Sequence, residues 1–280
     1  MSVIPILLYH SVSNAPADWI APYAVRPSMF ARQLELIEAS GRTAMTVSGL
    51  CAALAGESPM PAHPVVITFD DGFADFAYAA EMLADFQLPS TVYVTTGALA
   101  GRGHRAPELT LPPAAMLDWS QLPELAELGV EIGAHTHTHP QLDVMSDQAV
   151  SAEVRSSKEM LEDALGFEVP SFAYPHGFQS VRTRRVVAAA GHRSAAAVMN
   201  ALSSHTDDRM ALARLTVTAG TTLTQVRTWL NGQGAPVAPY PERLRTTVWR
   251  QLRRLRGPDA TRGVFVRSAE LKSRHQTGDY

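Results

Sequence analysis

Short apolar runs rich in β-branched residues alternate with stretches of helical apolar spacing from Val3 to about residue 217. Strands are predicted near Val3–Tyr9, Val65–Phe69, Thr91–Val94, Val130–Ala134, Ser171–Tyr174, Ser194–Val198 and Leu212–Val217, with a weaker candidate at Thr43–Thr46. Helices are predicted at Met29–Ala39, Ala74–Asp85, Leu117–Leu128, Asp147–Leu165 and Thr183–Ala190. Gly41, Gly129, Gly166 and Gly191 follow four of these, where a left-handed C-terminal residue is expected. Seven or eight repeats of strand then helix imply parallel strands, in either an open sheet or a barrel. The 280 residues suffice for one large α/β domain or two small ones, and an apolar content of 46% is enough for a sizeable core.

The net charge of −3 points to no particular partner, and no nucleic-acid partner is expected. Charge is unevenly placed, however: from Tyr240 onward 10 Lys/Arg face 4 Asp/Glu, which leaves the remainder at −9. Cys51 is the only cysteine, so an intrachain disulfide and a Cys ligand cluster are both excluded. The opening run ending at Tyr9 lacks a basic leader and is too short for a signal peptide or a membrane span. It reads as a first strand, and a cytoplasmic location is expected. Gly56–Pro64 and Ala98–Pro113 are loops by composition, the second long enough to face a substrate. Residues 231–241 read as a linker. Beyond it, Leu244, Val248, Leu252 and Leu255 line one face of a basic helical tail over 242–280, which either packs on its own domain or rests weakly on an anionic membrane surface.

Chemistry concentrates at the ends of predicted strands. Asp70-Asp71-Gly72 closes one; alone, such a sequence is a plain turn. Three histidines, His135, His137 and His139, occupy five residues after another. Together with the Asp pair they point to a metal, because catalytic divalent sites take about three protein ligands and leave a position for water. Two His and one carboxylate suit Zn²⁺, Fe²⁺, Co²⁺, Ni²⁺ or Mn²⁺. His135 and His139 can close on one ion across a turn; spacing alone leaves His137 open as a ligand or as a supporting residue. A cation would also let neighbouring carboxylates stay ionised together, one as ligand and the other free to take a proton from water. His10 and His176 follow strands of their own, and in parallel α/β folds such ends meet at one face.

These stretches together resemble the polysaccharide deacetylase family, with its NodB-like domain (carbohydrate esterase family 4). "TFDDG" at Thr68–Gly72 matches the first motif, "HTHTHP" at His135–Pro140 looks like the second, and "FAYPHG" at Phe172–Gly177 resembles the third. "LLYHSV" at Leu7–Val12 is similar to the opening strand of a circularly permuted subgroup of exopolysaccharide de-N-acetylases. The likeness runs from about Val3 to Leu230. It implies a distorted (β/α) barrel of about seven parallel strands, a single catalytic domain over residues 1–230, and metal-dependent hydrolysis of N-acetyl groups from an amino-sugar glycan or its precursor. By the same resemblance Asp70 would be the general base and Asp71, His135 and His139 the ligands of a divalent metal, with Zn²⁺ first. His10 would be the general acid, and the His176 backbone N–H would help hold the oxyanion. The chain departs from the family where the third motif usually carries Arg, since Ala173 stands there, and Arg214 in "LARL" is the candidate to orient Asp70 instead. The late Leu-x-His motif is also absent. Two other readings compete: hydrolysis of a small or cyclic amide at the same site, and a non-catalytic module holding a metal for structure.

Overall fold

The computed structural model describes residues 3–101 and 105–240. Pro5, which has no N–H to give a ladder, splits the first apolar run. Val3–Ile4 pairs antiparallel with Ser203–Ser204, while β1 (Ile6–Tyr9) enters the main sheet. Seven more strands join it: β2 (Thr43–Met45), β3 (Pro64–Phe69), β4 (Ser90–Val94), β5 (Val130–Ala134), β6 (Ser171–Ala173), β7 (Ser194–Ala196) and β8 (Leu215–Thr216). Their order is β7-β6-β5-β4-β3-β1-β8, with β2 beside the start of β3, and every pairing is parallel. The two edges meet at a parallel bridge between Ala196 and Leu212: Leu212 N–H donates to Ala195 O at 2.9 Å and Ala197 N–H donates to Leu212 O at 2.9 Å. The sheet thus curls into the expected distorted (β/α) barrel.

Side chains alternate between two cores. In β3, Val65, Ile67 and Phe69 face the surrounding helices and Val66 faces the barrel interior with Ile4, Ile6, Tyr93, Ala173, Ala196 and Leu212. Burial on both faces is why these strands read as continuous apolar runs. The helices are α1 (Pro27–Ala39), α2 (Val47–Leu54), α3 (Phe76–Asp85), α4 (Gln121–Glu127), α5 (Asp147–Leu165), α6 (Val181–Ala189) and α7 (Leu223–Leu230). α2 plugs the N-terminal mouth with Val47, Leu50 and Cys51. It was not foreseen, because Ser48, Gly49 and Ala52 dilute its apolar spacing; the Thr46 hydroxyl, accepting from Gly49 N–H at 3.1 Å, marks its start. α7 was also unforeseen and packs on α1. α4 is shorter than expected because Leu117 and Trp119 donate instead to Gly72 O (2.9 Å) and Ala100 O (3.1 Å).

The register fixes where function can sit. Tyr9 lies beside Phe69 and Val94 beside Ala134, so the residues that follow, His10, Asp70 and His135, come to the C-terminal rim. Residues 231–240, expected as a linker, lie against the barrel: Ala238 is buried, its N–H donates to Leu202 O at 2.8 Å, and Ser204 Oγ donates to its carbonyl at 2.7 Å. The basic tail over 242–280, and with it the membrane-surface contact raised for it as one alternative, lies outside the described residues. Among the described residues no helix is long and apolar enough to cross a membrane.

Candidate active site

Asp70 leaves the end of β3 with its N–H bonded to Tyr9 O at 3.0 Å, and Asp71 follows in a left-handed conformation (φ 75°). In an extended chain the two side chains would point apart; the left-handed turn at Asp71 and Gly72 swings both carboxylates into one cavity. A non-glycine residue held there stores on the order of 1 kcal/mol of strain, which the surrounding bonds must sustain.

Arg214, fully buried, grips Asp70 with two nitrogens. One terminal nitrogen donates to Oδ1 at 2.7 Å, the other to Oδ2 at 2.8 Å, and Nε donates to Ala197 O at 3.1 Å. The guanidinium also lies 5.6 Å from the centre of the Tyr93 ring. Burial by itself would raise the Asp70 carboxyl; Arg214 reverses this and holds it below the usual carboxylate range. Arg214, the candidate to orient Asp70, thus reaches it from a segment 144 residues away.

Asp71, His135 and His139 are buried, and their ligand atoms lie within 4.8 Å of one another. His135 Nε2 stands 3.4 Å and His139 Nε2 3.2 Å from the same oxygen, Asp71 Oδ1. His135 Nδ1 is 2.8 Å from the carbonyl of Ala173, which can only accept. Nδ1 therefore carries the proton, and a neutral His135 turns an Nε2 lone pair towards the carboxylate. Lone pairs converging out of water repel unless they share a positive charge. This donor set fits a divalent cation. Burial opposes ionisation of Asp71, yet the imidazoles of His135 and His139 beside it hold its carboxyl well below the ordinary value. Burial lowers His139, whereas the two aspartates outweigh burial at His135 and raise it.

Thr136 (φ 67°) and His139 (φ 60°) wind the histidine segment so that two imidazoles face inward and His137 does not. His137 Nδ1 meets Thr96 Oγ1 at 2.9 Å, away from the cluster. The winding is held by Glu153 on α5: one oxygen accepts from the N–H groups of His137 (2.9 Å) and Thr138 (2.8 Å), and the other from Thr138 Oγ1 (2.7 Å). The sequence reading overlooked Glu153; a carboxylate between Val150 and Val154, on the buried stripe of α5, is the signal that could have found it.

His10 follows β1, the strand that pairs with β3, its ring 5.3 Å from that of Tyr23; withdrawal from water lowers its pKa, against the pull of Asp71 and Asp70. His176 sits in a tight turn over Pro175–Gly177 with φ 59°, its ring 4.7 Å from that of His139. Gly177 (φ 72°) is required there, since a Cβ would come within 2.3 Å of Val198. His10, Asp70, Asp71, His135, His139 and His176 all line one cavity of about 540 Å³, with Arg214 directly behind Asp70. Its walls are Trp19, Tyr23, Phe178 and Trp229 with Asn200 and Gln225, which the sequence reading had not singled out.

None of the described side chains lining the cavity is a serine, cysteine or lysine. With carboxylates and imidazoles gathered at the rim of a parallel barrel, the molecule is a hydrolase of the deacetylase type, acting on carbon–nitrogen bonds. Residues 57–195 match the sequence model for polysaccharide deacetylase, and the chain belongs to that family. Among curated proteins it is similar to YxkH of Bacillus subtilis (strain 168), provisionally named a polysaccharide deacetylase, with 22% identity over 218 residues covering 78% of this chain and 72% of that one. Among solved structures it resembles the Streptococcus pyogenes deacetylase PplD in complex with acetate (TM-score 0.69, 24% identity, 80% of this chain and 96% of that chain). It also resembles IcaB from Ammonifex degensii (TM-score 0.69, 22% identity, 82% and 97%). At these identities the structural likenesses show the fold.

Proposed function

We propose that the chain removes N-acetyl groups from amino sugars in an uncharged glycan, using a divalent cation held by Asp71, His135 and His139. The observation that carries this reading is the ionised Asp70 carboxylate, fixed by Arg214 beside that donor set. Zn²⁺ suits two nitrogen donors and one oxygen donor, and Co²⁺, Ni²⁺, Mn²⁺ and Fe²⁺ fit the same set. When bound, the cation supplies Lewis acidity, which makes water more acidic and polarises the acetyl carbonyl.

The remaining steps belong to the protein. Each Asp70 oxygen accepts one Arg214 N–H, so the carboxylate cannot swing and keeps its free lone pairs towards the cavity. There Asp70 takes a proton from water as its oxygen bonds to the acetyl carbon. His10, which faces the same cavity, gives a proton to the departing nitrogen. The His176 backbone N–H, presented by its turn, is assigned to the developing oxyanion. The C–N bond breaks, leaving acetate and a free amine. The aromatic and amide walls offer stacking faces and neutral hydrogen bonds, which suit sugar rings better than an anionic ligand.

The test is acetate release from N-acetylglucosamine oligomers, with small cyclic amides run in parallel. Metal-loaded protein should turn over the oligomers, chelated protein should not, and Asp70→Asn should bind metal yet lose at least about 100-fold in kcat. Turnover of amides alone would replace the substrate assignment, and an Asp70→Asn protein of full activity would remove the base.

A further inference from the structure

Asp75 lies four residues beyond Asp71, at the N-cap of α3. An aspartate there ordinarily accepts from the first N–H groups of its own helix; this one makes no such bond. Its carboxylate turns instead to the backbone that follows His10. Ser11 Oγ donates to Oδ2, and the N–H of Val12 lies near the same carboxylate. Ser11 is fully buried, and Asp75 Oδ1 is buried without a hydrogen-bond partner among the described residues. Withdrawing a carboxylate from water to tether two residues is unfavourable unless what it tethers must be fixed.

What it tethers is the base of His10. A working imidazole is usually oriented by a hydrogen bond on its second nitrogen, but His10 Nδ1 is buried with no such partner among the described residues. Orientation must then come from the main chain and from ring contact. On one side Ser11–Val12 pairs with Ala24–Val25, which directly follows Tyr23, the ring that touches His10. On the other side stands Asp75. The segment that brings Asp70 and Asp71 into the cavity therefore also pins the neighbouring segment that carries His10.

We propose that Asp75 is a positioning residue: through Ser11 and Val12 it holds His10 at the distance and angle from Asp70 and Asp71 that proton delivery needs. This rests on His10 acting as the proton donor. It assigns no contact with substrate to Asp75.

The experiment uses the metal-loaded full chain with N-acetylglucosamine oligomers. Asp75→Ala should lower kcat by about 10- to 100-fold, the penalty expected for displacing a reacting group by about 1 Å, with KM changed less than about twofold. Asp75→Asn, which keeps one acceptor oxygen, should recover most of the loss, and Ser11→Ala should fall between. In a His10→Ala background, Asp75→Ala should bring no further loss. A second loss of equal size there would show that Asp75 supports the fold generally, and would overturn the proposal; so would a His10→Ala protein of full activity. NMR of the histidine rings gives a readout without turnover: Asp75→Ala should shift the His10 signals and leave those of His192 in place, and unmoved His10 signals would also overturn it. If wild-type protein releases no acetate, the functional reading fails while the NMR comparison still decides whether Asp75 holds His10. Should Asp75→Ala not fold, Asp75→Asn and Ser11→Ala carry the same comparisons.

Discussion

Arg214, itself fully buried, directs its guanidinium N–H groups to Asp70 and to the Ala197 carbonyl. Removing one partner of such a pair leaves the other charge buried and alone, which is worse than removing both. Arg214→Met is expected to lose about 3–5 kcal/mol in urea unfolding. Adding Asp70→Asn to it should restore part of that stability; strictly additive losses would mean that the pair is not coupled. The Asp70 half of this pair was legible, because the histidine cluster and the resemblance turned what alone reads as a plain turn into a site. The Arg214 half was only a candidate, since nothing local in "LARL" says which carboxylate a side chain 144 residues away will meet. His137 shows the same limit on a shorter stretch. Spacing could not separate it from His139, because the outcome depends on left-handed backbone at Thr136 and His139, which neither residue type announces.

α5 contributes more than packing, for its Glu153 binds two N–H groups and a hydroxyl of the histidine segment. Glu153→Ala should weaken metal affinity by about 10- to 100-fold, as is usual when a support of the ligands is lost. Competition titration with a chromophoric chelator measures this, and unchanged affinity would show that the winding holds itself. The turn between α6 and β7 carries a different liability. His192 is buried there, and burial, helped by Lys158, pushes its pKa from 6.5 down to about 3. Above pH 6.5 it is neutral folded or unfolded and contributes nothing. As the pH falls from 6.5 towards 3, the unfolded chain takes up a proton that the native state refuses, so stability declines by about 1.4 kcal/mol per pH unit. His192→Leu should flatten that slope; equal slopes would place the acid sensitivity elsewhere. Long elements with one apolar stripe, such as α5 over Asp147–Leu165, were readable to the residue. α2 and α7 were not, being eight residues each, with small or mixed residues blurring the period.

Because Asp71 comes from the loop after β3 and His135 and His139 from the loop after β5, a cation that joins them binds the native state and not the unfolded chain. At a free metal concentration of about 100 times Kd this adds about 2.7 kcal/mol to stability. The thermal midpoint should rise with added Zn²⁺ in the wild type and stay flat in His139→Ala; a parallel rise in both would locate the binding elsewhere. Barrel closure was expected from the resemblance, the strand count having left an open sheet equally open, whereas the bridge between Ala196 and Leu212 that joins its edges could not be read from either segment. That bridge has a bearing on how the protein is made. A ribosome releases His10 first, then Asp70, Asp71 and the histidines, and Arg214 only after the seam has formed its second half. Until then the growing chain holds an aspartate with no counter-charge and a sheet with two raw edges. A truncated product ending before residue 212 would thus be inert and adhesive together, so quality control need recognise only one defect to remove both hazards.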